Sequence, residues 1–183
     1  MNTELKRQIV HISAGIMFLG ILLLLGREVL IAISFIGLIV GSLLINRYVF
    51  TKDHLYEILY HQIERKGVPF AGWGPTWYLV GILLLSTFLQ EVPEIAVGLT
   101  MLAISDGMAT IVGKKGKHKI FYNKEKTIEG TLAFILSSMI GFYFIGFEII
   151  PIGIIAGIAE TLPLKIDDNA LIPIVLIILF GLV

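Results

Sequence analysis

The chain has 183 residues, 56% of them hydrophobic, with a formal net charge of zero and no cysteine. A mean hydropathy of +0.90 lies well outside the range of soluble domains and points to an all-α integral membrane protein, one embedded unit over residues 1–183. The missing cysteines exclude disulfides, thiolate metal sites and cysteine nucleophiles, and no nucleic-acid partner is expected.

Apolar runs fall at 9–25, 29–45, 76–89, 95–112, 128–147, 149–162 and 171–183, which predicts about seven transmembrane helices. Lys6 and Arg7 precede the first run as in a signal peptide, but no A-x-A-like cleavage site follows Leu25, so a spanning helix is expected there. The third, sixth and seventh runs are shorter than the roughly 20 residues that cross about 30 Å of hydrocarbon. Pro151, Gly153 and Gly157 could reduce the sixth to a partial span. Gly153 and Gly157 also form a small-xxx-small pair of the kind that permits helix association, a homodimer included.

A cytoplasmic N-terminus puts thirteen of the fourteen cations on the inner side, in the N-terminal segment and in loops 47–75, 113–127 and 163–170, and leaves only Arg27 outside. The expected protein is therefore multi-pass, in the cell membrane, with its working face cytoplasmic. In the first loop, Leu55, Ile58, Leu59 and Ile63 form the stripe of an interfacial amphipathic helix, and Trp73, Trp77 and Tyr78 mark an aromatic belt. His54, His61 and His118 lack ligand-like spacing and are expected in solvent.

Carboxylates inside apolar spans are costly and point to function. Asp106 lies in the inner half of the fourth run, Glu129 at the inner start of the fifth and Glu160 near the inner end of the sixth, with Asp167, Asp168 and Asn169 in the next turn. All six are expected to converge on one inward-facing pocket, where oxygen-only ligands suit a hard cation such as Mg²⁺. Simpler readings exist for each: Asp106 pairing with a lysine, Glu129 as a favourable first-turn charge, Asp167 and Asp168 as a solvated turn.

Six lysines crowd the stretch from Lys114 to Lys126. They suit anchoring to anionic head groups, but anchoring has no use for Gly113 and Gly116, which allow backbone amides close to phosphate oxygens. Lys126 and Thr127 at a helix start form a second anion-binding arrangement, and the pattern is not that of a P-loop. Near the N-terminus, Arg7 and His11 share a helix face beside Glu4, and His11 reads more readily as an interhelical hydrogen-bonding residue than as a catalyst.

Three stretches, ELKRQIVHISAG at 4–15, SDGMATIVGKKGKHKI…NKEKTIEGT at 105–131 and AETLPLKIDDNALIP at 159–173, resemble the CTP-dependent polyprenol kinases, a family that includes dolichol, phytol and farnesol kinases. The middle stretch is also similar to CDP-diacylglycerol synthases, whereas the last looks more like phytol and dolichol kinases. Ser105 stands where the family usually has glycine. The resemblance implies about seven helices, CTP as phosphoryl donor, Mg²⁺, and an isoprenoid alcohol of dolichol, phytol, farnesol or geranylgeraniol type as acceptor. It implies Asp106 with Asp167 or Asp168 on the metal, and Lys114, Lys115, Lys117 and Lys126 with Gly113, Gly116, Thr127 and Asn169 on the nucleotide. Glu129 or the remaining aspartate would activate the alcohol, with Glu160, Glu4, Arg7 and His11 in support. The rivals are a cytidylyltransferase making a CDP-lipid and, ranked lower, a small anion transporter.

Overall fold

A computed structural model describes residues 3–51 and 67–182. The amphipathic helix expected around Leu55 to Ile63, with His54 and His61, lies outside the described residues. Among the described residues seven principal helices occur in order: α1 Thr3–Leu25, α2 Arg27–Thr51, α3 Trp73–Phe88, α4 Val92–Gly113, α5 Ile128–Ser138, α6 Ile149–Ala159 and α7 Asp168–Gly181. The described residues contain no strand, only an isolated antiparallel bridge between Lys119 and Thr127.

Each expected run has its helix, with boundaries shifted by caps that hydropathy does not record. Gly26, at φ +86°, separates α1 from α2, because a left-handed residue ends a helix and glycine adopts it without steric cost. Pro93 starts α4, where its missing N–H has no helical partner to lose. Pro151 likewise falls in the first turn of α6, and that helix runs unbroken through Gly153 and Gly157.

Among the described residues, four stretches are long and apolar enough to cross a membrane: Glu4–Leu25, Arg27–Thr51, Val92–Gly113 and Ile128–Ala159. The last is a hairpin rather than one rod. After α5 the chain passes through a 3₁₀ turn, a short helix Phe142–Ile145 and Gly146 at φ +65°. The space beside Gly153 is then filled by Ser138, and that beside Gly157 by Ile135 and Phe134, so α6 packs antiparallel to α5. At 1.5 Å per residue the 11-residue α6 is about 16 Å long, short of the hydrocarbon thickness.

The molecule is organised around α4. Ile95, Ala96, Val97, Met101 and Leu102 are fully buried against α1, α3, α5 and α7. On the outside, α1 and α2 expose Leu24, Leu25, Phe35, Ile36 and Leu43, a continuous apolar surface suited to lipid tails. Pro173 takes away the helical partner of the Asn169 carbonyl, and Gly81 of α3 makes room for that carbonyl: a Cβ at Gly81 would stand 2.2 Å from the Asn169 oxygen. This close approach carries the start of α7 towards the start of α3. Arg27, at the opposite end, donates to the carbonyls of Ser86 (2.7 Å) and Thr87 (3.1 Å) and ties α2 to the end of α3.

Candidate active site

The start of α1, the end of α4, the start of α5, the end of α6 and the start of α7 meet at one end of the bundle. Within α4, residues Met101–Ser105 form a single π-helical turn immediately before Asp106. Such a turn inserts one residue into the α-helical repeat and re-aims the side chains after it, and it is found frequently at functional sites. Asp106 is buried, 4% exposed. His11 reaches it from α1: the Nε2–H donates to the Leu102 carbonyl at 2.9 Å and lies 3.4 Å from Asp106 Oδ2. Because a carbonyl only accepts, Nε2 carries the proton in this arrangement. The His11 ring packs on Tyr78 with centroids 4.3 Å apart, and the Tyr78 hydroxyl donates to the His11 carbonyl at 3.2 Å. Tyr78, expected in an aromatic belt, is thus turned inward.

Glu160, 3% exposed, stands just past the end of α6, and Asp168 begins α7. Lys126 bonds to both, at 2.9 Å to Asp168 Oδ2 and in a closer contact to Glu160 Oε1. Burial opposes the charge on Lys126, but Asp168 and Glu160 outweigh it and hold the ammonium above the ordinary lysine range. Carboxylate oxygens of Asp106, Glu160 and Asp168 lie within 4.8 Å of one another. One ammonium faces three clustered carboxyl groups, and the oxygen-only donor set fits a hard divalent cation.

Asp167, one residue away, does something else. Its Oδ1 caps α7 by accepting from the Asn169 N–H (3.1 Å) and Nδ2 (2.8 Å), while Oδ2 accepts from Trp73 Nε1 at 2.8 Å. Of the expected metal set, Asp106 and Asp168 come together, with Glu160 as the third carboxylate and Asp167 outside the cluster.

The lysine loop is held at both ends. Glu129, at the start of α5, accepts from the Lys117 N–H (2.9 Å) and the His118 N–H (3.2 Å), and from His118 Nδ1 at 2.8 Å. It therefore orders the loop and stands apart from the carboxylate cluster. Thr127 is buried; its Oγ1 caps α5 by accepting from the Gly130 N–H and donates to the Gly113 carbonyl, both at 3.2 Å. Thr127 and Glu129 also fill the space beside Gly116, where a Cβ would stand 2.7 and 2.8 Å from their oxygens, so packing alone requires that glycine. Farther along, the Tyr122 hydroxyl meets Thr161 Oγ1 at 2.6 Å and Asn123 Nδ2 donates to the Thr161 carbonyl at 3.0 Å. These two bonds bring the loop across to the end of α6 and set Lys126 beside Glu160. Lys114 pairs with Glu4, which also pairs with Arg7, while Lys115 and Lys117 are not buried.

Gln8, Trp73, Tyr78, Tyr122, Asn123 and Thr161 thus belong to the site or its supports, although sequence reasoning did not select them for it. Gln8, Tyr122, Asn123 and Thr161 carried a usable signal, by lying within the motif-bearing segments 4–15, 105–131 and 159–173.

No family model matches the chain, and no solved structure matches it. An uncharacterized protein of Methanocaldococcus jannaschii is 28% identical over 94% of this chain and 90% of its own length. A probable chloroplastic phytol kinase of Zea mays is 27% identical over 95% of this chain, and phytol kinase 1 of Arabidopsis thaliana, also chloroplastic, is 28% identical over 97%. The chain spans 65% of the length of the Zea mays protein and 66% of the Arabidopsis one. Likeness to several phytol kinases thus extends over most of the length of the chain.

Proposed function

We propose that the protein is a membrane lipid kinase that transfers the γ-phosphoryl group of CTP to an isoprenoid alcohol, giving the prenyl monophosphate and CDP. The observation that carries this reading is the buried meeting of Asp106, Glu160 and Asp168 around Lys126, drawn from four separate segments onto one end of an apolar bundle. The phytol kinase relatives support the acceptor class.

In the transfer, the alcohol oxygen forms a bond to the γ-phosphorus, the bond from that phosphorus to the β,γ-bridging oxygen breaks with its electron pair leaving on CDP, and the hydroxyl proton is released to water. Protein contributes mainly alignment and charge neutralisation to such a step. Asp106, Glu160 and Asp168 would hold Mg²⁺, which when bound offsets negative charge on the phosphates. Lys126, already beside two of these carboxylates, and the loop residues Lys115 and Lys117 would meet phosphate oxygens. Glu129 would act through the loop it orders, not as the base. Asp106, with His11 at 3.4 Å, is the carboxylate proposed to orient the hydroxyl. In the membrane, all seven helical segments would cross or enter the bilayer, with the site end cytoplasmic.

The test is to supply purified protein with γ-labelled or α-labelled CTP, Mg²⁺ and a panel of prenols. Label from the γ position should enter the lipid, and EDTA should abolish transfer. Entry of α label with release of pyrophosphate would instead make the protein a cytidylyltransferase.

A further inference from the structure

Between the first turns of α1 and α3 lies a cavity of about 170 Å³ with Asp106 in its wall. Val10, Ala14, Trp73, Pro75 and Tyr78 give it apolar and aromatic sides, and Val10 at its edge is 49% exposed on the lipid-facing surface of α1. Two polar residues in the lining are nine-tenths buried, Gln8 at 3% and Asn169 at 9% exposure. Gln8 Oε1 and Asn169 Oδ1 both lack a hydrogen-bond partner among the described residues.

The amide orientations are fixed by their neighbours. Gln8 Nε2 donates to Glu4 Oε1 at 3.1 Å and Asn169 Nδ2 donates to Asp167 Oδ1 at 2.8 Å, so in each the unmet atom is the carbonyl oxygen. A buried acceptor without a partner is costly, and two belong to residues that line this cavity together with Asp106. What these two oxygens lack is a hydrogen-bond donor; Arg7, also in the lining, is engaged by Glu4. A nucleotide phosphate brings acceptor oxygens and negative charge; an alcohol brings an O–H on an apolar stem.

We infer that this cleft is the acceptor subsite, seating the hydroxyl end of a membrane-dissolved alcohol with its O–H donated to Gln8 Oε1 or Asn169 Oδ1 beside Asp106. The assignment rests on the kinase reading above and adds to it the route of the lipid. The cavity is smaller than the roughly 300–1,000 Å³ that encloses a whole drug-sized ligand. It therefore takes the head of the alcohol, while the chain leaves between α1 and α3 past Val10 into lipid.

Photolabelling tests this without turnover. The full chain in lipid nanodiscs is irradiated with a prenol carrying a diazirine next to its hydroxyl end, and labelled positions are mapped by mass spectrometry. Labels should fall at Val10 to Ala14 and Trp73 to Tyr78, and phytol should compete while the corresponding hydrocarbon without a hydroxyl should not. Ala14→Leu, which fills the cavity, and Gln8→Leu, which removes an acceptor, should each lower labelling by about tenfold, the loss expected for one well-made contact. Labels confined to other helices, undiminished labelling in Ala14→Leu, or equal competition by the hydrocarbon would overturn the subsite. The map on the unmodified chain decides the matter even where a variant fails to fold. Labelling in the cleft without transfer from CTP would overturn the kinase reading alone; transfer with labels elsewhere would overturn the cleft alone.

Discussion

Helices α2 and α4 are both long and apolar enough to cross a membrane, yet 11% of the most apolar window of α2 is buried inside the protein against 72% for α4. Hydropathy ranks them the other way, at 2.5 for α2 and 1.8 for α4. The more apolar helix faces lipid because lipid accepts apolar side chains at no cost. The central helix gives up hydropathy for small and polar residues, Ala96, Gly98, Thr100, Ala103, Ser105, Asp106 and Gly107, which let neighbours approach and give the site its charge. In a bundle of this kind the functional helix is the one that looks least like an ideal span.

Substitutions can break that contrast, the strongest first. Asp106→Asn keeps the shape of α4 but removes a charge from the cluster, and should lower turnover by about 100-fold, measured as γ-phosphate transfer, with little change in thermal stability. Gly15→Ala places a Cβ 2.0 Å from Ala103 Cβ and 2.4 Å from the Tyr78 hydroxyl, and should destabilise by about 1–3 kcal/mol, read by thermal unfolding in detergent. Asn123→Ala cuts one of the two ties from the lysine loop to Thr161; the loss of about 1 kcal/mol should raise the KM for the nucleotide by roughly fivefold with the prenol KM unchanged. At the bottom of the scale, Gly41→Ala in α2 meets no atom within 4 Å and should stabilise by at most about 1 kcal/mol with activity intact. A large loss from Gly41→Ala in α2, or none from Gly15→Ala in α1, whose added Cβ presses on Ala103 of α4, would erase the distinction between α2 and α4.

Much of this architecture was legible in the sequence. The seven apolar runs reappear as seven helical segments because lipid-facing and core-facing positions are both apolar, which makes hydropathy a reliable guide to helix existence in such chains. Asp106 and Glu160 stood out because ionisable groups in apolar runs are rare, and Asp168 because it follows them in a turn on the same expected side. The choice between Asp167 and Asp168 was not legible, since it depends on where α7 begins: the N-cap residue turns its carboxylate onto the helix's own N–H groups, and the next residue is free to reach Lys126. The π turn before Asp106 has no signature at the level of hydropathy. Nor could spacing show that Gly116 packs against Thr127 and Glu129, or that Tyr122 meets Thr161 thirty-nine residues away, because both depend on contacts between segments remote in sequence.

The central claim is that the divalent cation of the donor complex is held by Asp106, Glu160 and Asp168 and not by Asp167. Mn²⁺ binding in the presence of CTP, followed by electron paramagnetic resonance on the unmodified chain and on Asp106→Asn, Glu160→Gln, Asp168→Asn and Asp167→Asn, tests it most directly. The account predicts that the first three substitutions each weaken binding by about tenfold or more while Asp167→Asn leaves it within about twofold. Weakening by Asp167→Asn equal to that of Asp168→Asn, or unchanged binding in Asp106→Asn, would contradict it.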